Sequence, residues 1–202
     1  FRNFLSGNSS PDQESLGQVK ELADRKSFFH WFLEFPEVFA KGGFNCILGN
    51  PPYKGGQGLS GSYGHTFCEW VKYCFAPTGL SDLVVYFIRR NEEILQTGGF
   101  FNFVTTNSIK DGDVRKDGLE QVLNQGSDIH FANRNVMWPG LANVCVSLIG
   151  IHKGQWSLHK WLDGKIAPTI SAFLEDFEDV GSPRNVIENK DQVFQGSIFL
   201  GD

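Results

Sequence analysis

Residues 44–53 read Phe-Asn-Cys-Ile-Leu-Gly-Asn-Pro-Pro-Tyr (FNCILGNPPY), and the reading of the whole chain turns on them. Phe44 to Leu48 is a short apolar run between Gly42-Gly43 and Gly49. A run of that length bounded by glycines predicts a parallel strand buried on both faces. It ends in Asn50-Pro51-Pro52-Tyr53, and ligand sites of open α/β sheets lie at the carboxyl ends of strands. The two prolines remove backbone N–H donors and fix φ, and each pushes the residue before it toward extended geometry. The expected result is a stiff strand exit with bare carbonyls. The Asn50 side chain and the Pro51 backbone each offer an acceptor, a pair that suits the two hydrogens of an exocyclic amine. Tyr53 offers a flat face for a planar ring. The bland alternative is a proline turn after a strand.

Outward from this stretch the pattern alternates. Toward the N-terminus, Ser10-Pro11 offers a cap and a first-turn proline, and Leu16, Val19, Leu22 and Ala23 predict a helix over 11–26. Phe28, Phe29, Trp31, Phe32, Phe35 and Phe39 form an aromatic run broken by Pro36, expected as a buried helical turn and a bend. Toward the C-terminus, a Gly/Ser-rich loop over 54–64 precedes a helix over 65–75. Ser81 is a candidate cap for a helix with Leu83, Val84, Phe87, Ile88, Ile94 and Leu95 inward and Gly98 as its stop. Phe100 to Thr105 predicts a second strand, Lys110 to Gly118 a charged loop and Leu119 to Leu123 a short helix. Ile129 to Phe131 and Val144 to Ile151 predict two further strands, and Thr169 to Phe177 a helix. Strand, helix, strand, helix, strand, strand is the later half of an α/β sheet with helices on its faces and a terminal strand pair.

Composition narrows the function classes. Hydrophobic residues are 41% of the 202 and charged residues 20%, which excludes a disordered chain. Lys plus Arg is 18 and Asp plus Glu is 23, a net charge of −5. That excludes nucleic-acid binding by bulk positive charge but not a local basic rim. Cys46, Cys68, Cys74 and Cys145 lack the spacing of a zinc site or a disulfide framework and fit a reducing, cytoplasmic setting. No apolar run approaches the ~20 residues that span a membrane. The chain opens at Phe1 and its only methionine is Met137, so the expectation is a portion of a longer polypeptide.

FNCILGNPPY resembles motif IV of the amino-methyltransferases that use S-adenosylmethionine. Residues 28–53 as a whole resemble one branch of these, the large type IIG and phage-defence DNA adenine-N6 methyltransferases of restriction-modification systems. VTTNSIKDGDVRKDGL (104–119) is similar to their next strand and loop. MWPGLANVCVSLIGIHKG (137–154) is similar to their later strand pair, and VFQGSIFLGD (193–202) to a stretch leading toward their target-recognition region. The resemblance implies a Rossmann-like methyltransferase sheet, S-adenosylmethionine as cofactor, and double-stranded DNA with a flipped adenine as substrate. It implies catalytic roles for Asn50, Pro51, Pro52 and Tyr53, with Asn50 and Pro51 also touching the cofactor. It also implies that Trp138 is the second stacking face for the base, with a buried core tryptophan as the alternative. One feature departs from the family. The cofactor motif, a strand ending in a Gly-rich turn before the NPPY strand, has no counterpart here. The chain therefore reads as the catalytic half, inactive alone and completed by the remainder of the parent polypeptide.

Asn107 lies just past the second strand, a candidate to line the substrate pocket. Lys110 and Arg115, with Lys54, Lys116 and Lys153, are candidate phosphate contacts, although Asp111, Asp113 and Asp117 dilute their charge. No metal site is expected. The division expected is 1–27 as an N-terminal helix and loose end, 28–153 as the catalytic half, and 154–202 as linker and start of a recognition region. Two other readings stay open: a protein-glutamine or ribosomal-RNA guanine methyltransferase using the same tetrapeptide, and a non-catalytic DNA-binding fragment.

Overall fold

Among the described residues of the computed structural model, which are 12–79, 81–139 and 144–178, six strands form one mixed sheet. They are β1 (Phe44–Gly49), β2 (Leu95–Thr106), β3 (Asp128–Met137), β4 (Cys145–His152), β5 (Lys160–Leu162) and β6 (Lys165–Ala167). Their order across the sheet is β1-β2-β4-β3-β5-β6. β1 and β2 are parallel, β4 is antiparallel to both its neighbours, and β3 and β5 are parallel. The α/β half-sheet expected from the sequence is therefore present, with the strand pair β3–β4 inserted so that β4 lies next to β2.

The helices are α1 (Gln13–Lys26), α2 (Trp31–Glu34), α3 (Pro36–Phe39), α4 (Leu59–Tyr63), α5 (His65–Phe75), α6 (Leu83–Ile94), α7 (Gly112–Asp117) and α8 (Leu119–Asn124). Helix α6 is buried on several sides because it lies between two apolar clusters. Val84 and Ile88 meet Phe101, Phe103, Ile129, Ile149 and Ile151 of the sheet, while Leu83, Val85 and Tyr86 meet Val71 and Phe75 of α5. Alternation along β2 puts Phe101, Phe103 and Thr105 in the core and leaves the residues between them half-buried. Ile170, Ala172 and Leu174 join the same core.

Several local expectations are corrected. The expected cap at Ser10-Pro11 lies outside the described residues, and α1 is capped by Asp12, whose carboxylate accepts the Ser15 N–H. Helix α6 starts after Asp82 rather than Ser81 and stops at Ile94. Gly98 is no helix stop: it sits inside β2 with φ 81°, where the pairing with β1 shifts register. The charged loop over 110–118 is largely the helix α7. Residues 169–177 form turns instead of a helix, and within 154–178 the short strands β5 and β6 extend the sheet beyond β3.

The aromatic run is not buried. Phe28, Phe29 and Phe32 are about half exposed, and Leu16 and Val19 of α1 likewise. Trp31, Phe35 and Phe39 gather around Phe44, the first residue of β1, with ring centroids 5.5–5.6 Å from it. β1, expected to be buried on both faces, is instead the edge of the sheet with none of its residues buried and Leu48 75% exposed, and these rings cover one another.

The other sheet face carries Phe100, His130, His152 and Trp156 in mutual ring contact. His130 is the extra residue of a bulge in β3, and a Cβ on Gly150 opposite would come 2.9 Å from its Nε2. That Nε2 is buried with no hydrogen-bond partner among the described residues. Burial first, and then the neighbouring His152, holds the His130 pKa below its ordinary value. The unfolded chain thus takes up a proton that the folded one refuses. Stability is full above the unfolded imidazole pKa of about 6.5 and falls as pH drops toward the lowered folded value. Thermal melts at pH 7.5 and pH 5 are expected to show a lower midpoint at pH 5, and His130→Phe should shrink the difference. An unchanged difference would place the acid sensitivity elsewhere.

Candidate functional site

The sheet topology gathers the candidate residues at one rim. β1, β2 and β3 point the same way and β4 runs against them, so three carboxyl ends and the amino end of β4 share that rim. Asn50 leaves β1 there, Asn107 leaves β2 and Trp138 leaves β3, while Ser147 lies near the start of β4.

At the β1 exit, Pro51 is buried and anchors the turn, while Asn50, Pro52 and Tyr53 are exposed. Tyr53 is 43% exposed. Its hydroxyl donates to Asn50 Oδ1 and also lies 3.2 Å from the Val104 carbonyl of β2. Burial of the phenol raises its pKa, so it stays a neutral donor. The Asn50 oxygen is thus oriented by Tyr53, with its second lone pair left to accept another donor. Next to Tyr53 is an open cleft of about 430 Å³ lined by Lys54, Gln57 and Asp82. Asp82 holds its wall: one carboxylate oxygen accepts the Gly56 N–H at 3.1 Å and the other lies 3.4 Å from Ser108 Oγ.

Asn107 opens a turn of 3-10 helix, Asn107–Lys110, and sits in a fixed network. Its Oδ1 accepts from Ser147 Oγ at 2.7 Å, and its Nδ2 donates to Asn135 Oδ1 at 2.8 Å. Ser147 is fully buried, and its carbonyl accepts from Thr105 Oγ1. Trp138 is 38% exposed, which places it at the surface of the rim and not in the core. Its N–H donates to the Val144 carbonyl and ties the turn after β3 to the start of β4.

The basic candidates separate. Lys110 is half-buried at the rim. Arg115 is withdrawn from it: only 2% exposed, it pairs with Glu120 at 2.5 Å and lies 4.0 Å over the Phe173 ring. Helix α7 turns its side chain inward, which a reading of this stretch as loop does not foresee. Lys153 is likewise structural, donating to the Glu92 and Leu95 carbonyls. Lys54 stays beside the cleft. Arg134, not singled out in the sequence, is tied to Asp163 in the β5–β6 turn and to Glu175. Burial works against ionisation of Asp163, yet the hydrogen bonds from Arg134 outweigh it and lower its pKa.

Sequence reasoning also passes over Asp82, Asn135 and Ser147. Asp82 had a signal, since it directly precedes the first apolar residue of α6. Asn135 and Ser147 had none, because their meaning comes from register across strands. Among the described residues no group of His, Cys, Asp and Glu is placed to hold a metal ion, and no helix is long and apolar enough to cross a membrane.

Comparison with known proteins matches residues 3–130 to the family described as Eco57I restriction-modification methylase, a span of more than half the chain. A protein of Methanocaldococcus jannaschii named as a type II restriction enzyme and methyltransferase is 31% identical over 121 residues. That match takes in 60% of this chain and 9% of the relative, so the chain corresponds to a small part of that protein's length. Among solved structures, the type IIL restriction-modification enzyme MmeI in complex with DNA superposes with a TM-score of 0.55 at 24% identity. It covers 67% of this chain and 20% of its own, and the likeness is one of fold.

Proposed function

Because this chain belongs to the Eco57I restriction-modification methylase family, we propose that it is the catalytic part of a DNA methyltransferase that modifies N6 of a flipped adenine. The observation that carries this reading is the β1 exit, where an exposed amide oxygen and an aromatic ring stand together on a proline-stiffened turn. The target base leaves the duplex because its amine cannot be reached inside the stack. The ring of Tyr53 stacks on it, and Trp138 covers the other face. Asn50 Oδ1 and the Pro51 carbonyl accept the two amine hydrogens, which turns the nitrogen lone pair outward. Holding the amine in this orientation supplies most of the acceleration, and the two fixed acceptors stabilise the positive charge that grows on nitrogen. The proton leaves after transfer, so no strong general base is required. Asn107 and Lys110 line the substrate side of the same rim.

S-adenosylmethionine, when bound, supplies an electrophilic methyl group. The residues at the β1 exit fit its methyl-bearing end, since Pro51 and Pro52 present no N–H against a sulfonium and Asn50 presents an oxygen. Among the described residues no strand ending in a Gly-rich turn stands ahead of β1 to approach the rest of the cofactor. We assign that part, and the recognition of duplex DNA, to other regions of the parent polypeptide, so the 202 residues alone are expected to be inactive. A reducing cytoplasm is the setting that suits the four free cysteines.

The test uses the parent protein, labelled S-adenosylmethionine and unmethylated duplex DNA, with the product digested to nucleosides. Label in N6-methyladenine is the expected result. Label in N2-methylguanine or in protein would move the substrate assignment, and no transfer at all would favour a non-catalytic role.

A further inference from the structure

We propose that Asn135 is a positioning residue of the base pocket, setting both the orientation of the Asn107 amide and the direction in which Trp138 leaves β3. This rests on the proposed function, because it assigns Asn135 to the same pocket. Along the β3–β4 pair, Asn133 faces Leu148 and Val136 faces Val146, so Arg134 and Asn135 together face the single residue Ser147. That is a β-bulge, and bulges re-aim side chains near active sites. Strand side chains alternate with a period of two, so one extra residue reverses the alternation of everything after it. The bulge therefore decides on which side the chain presents Met137 and Trp138 as it leaves the strand.

The sequence is built to hold this irregularity. Asn135 has φ 54°, in the left-handed region that asparagine tolerates better than other residues with a Cβ. The Arg134 N–H, which the bulge turns away from β4, donates to Asp163 Oδ1 at 2.7 Å. The Arg134 side chain adds a second bond to that carboxylate at 2.8 Å. On its other flank, Asn135 Oδ1 accepts from Asn107 Nδ2, and Asn107 Oδ1 accepts from the buried Ser147 that the bulge faces. The amide of Asn107 is thereby fixed end for end, with its nitrogen toward β3 and its oxygen toward β4. One donor hydrogen and one lone pair of that amide remain for a base edge. The β5–β6 hairpin acts as a buttress for the rim through Asp163.

The experiment compares Asn135→Gly and Asn135→Asp in the parent enzyme with wild type. Glycine keeps the left-handed backbone and removes the acceptor, whereas aspartate keeps an acceptor oxygen. Methyl-transfer kcat, the KM for DNA, and the fluorescence of 2-aminopurine at the target position are measured. Asn135→Gly is expected to lower kcat about tenfold, the scale of one lost positioning hydrogen bond. Its KM should stay within about twofold of wild type and the stacked-base fluorescence should change, while Asn135→Asp restores most of kcat. Wild-type kcat and fluorescence in Asn135→Gly would overturn the proposal. So would a lowered melting temperature with kcat unchanged, or an aspartate variant no better than glycine. Failure of the underlying reading is distinguishable, since it shows as wild-type enzyme that puts no methyl on adenine.

Discussion

Asn50→Ala in the parent enzyme is expected to lower methyl transfer to adenine by about 100-fold or more while leaving folding and DNA affinity near wild type. The magnitude is that of removing one preorganised hydrogen-bond partner from a developing charge. The fold is spared because Asn50 lies beyond the end of β1, exposed, and its side chain bonds only to the Tyr53 hydroxyl among the contacts seen. Tyr53→Phe makes the informative partner variant. It removes that hydroxyl, which orients Asn50 Oδ1, but keeps the ring, so transfer should persist at a rate within a few-fold of wild type. Single-turnover rates with saturating DNA separate the two. An Asn50→Ala enzyme that transfers methyl groups at near wild-type rate would remove Asn50 from the chemistry. An inactive Tyr53→Phe would show that the hydroxyl does more than orient the acceptor.

What could be read from the chain divides along a physical line. The β1 strand and its exit were legible because glycine and proline act locally: Gly42-Gly43 and Gly49 bracket the run, and Pro51-Pro52 end it whatever the rest of the protein does. Helix α6 was legible from the spacing of its apolar residues, although Phe87, expected inward, is 39% exposed. The second half of the site was not. Asn135 and Ser147 matter because a bulge brings two residues of β3 opposite one of β4, and no periodicity along a single strand encodes that. The β5–β6 hairpin carried an Asp163-Gly164 turn signal, but each strand is three residues long, too short for alternation to show. The aromatic run at 28–39 failed in the opposite direction. Its composition calls for burial, yet burial needs a partner surface, and β1 is the edge of the described sheet.

Arg115→Ala is expected to cost about 3 kcal/mol of stability or more, with no change in the salt dependence of DNA binding. The side chain is 2% exposed, while its partner Glu120 keeps 25% of its side chain in solvent. Truncation leaves the carboxylate partly rehydrated, which sets the cost at the lower end of the range for broken buried pairs. It also removes the cation from the Phe173 ring and opens a gap between α7 and the 170–174 segment that completes the core. A phosphate contact would behave otherwise. Its loss would leave unfolding untouched and reduce the slope of log affinity against log salt by about one. Urea unfolding of the variant, set beside DNA binding at several salt concentrations, decides between the two. Arg115→Met sharpens the comparison, because methionine restores apolar volume over Phe173 and should recover part of the stability. A shallower salt slope at unchanged stability in Arg115→Ala would return Arg115 to the DNA interface and require α7 to turn its side chain outward in the complex.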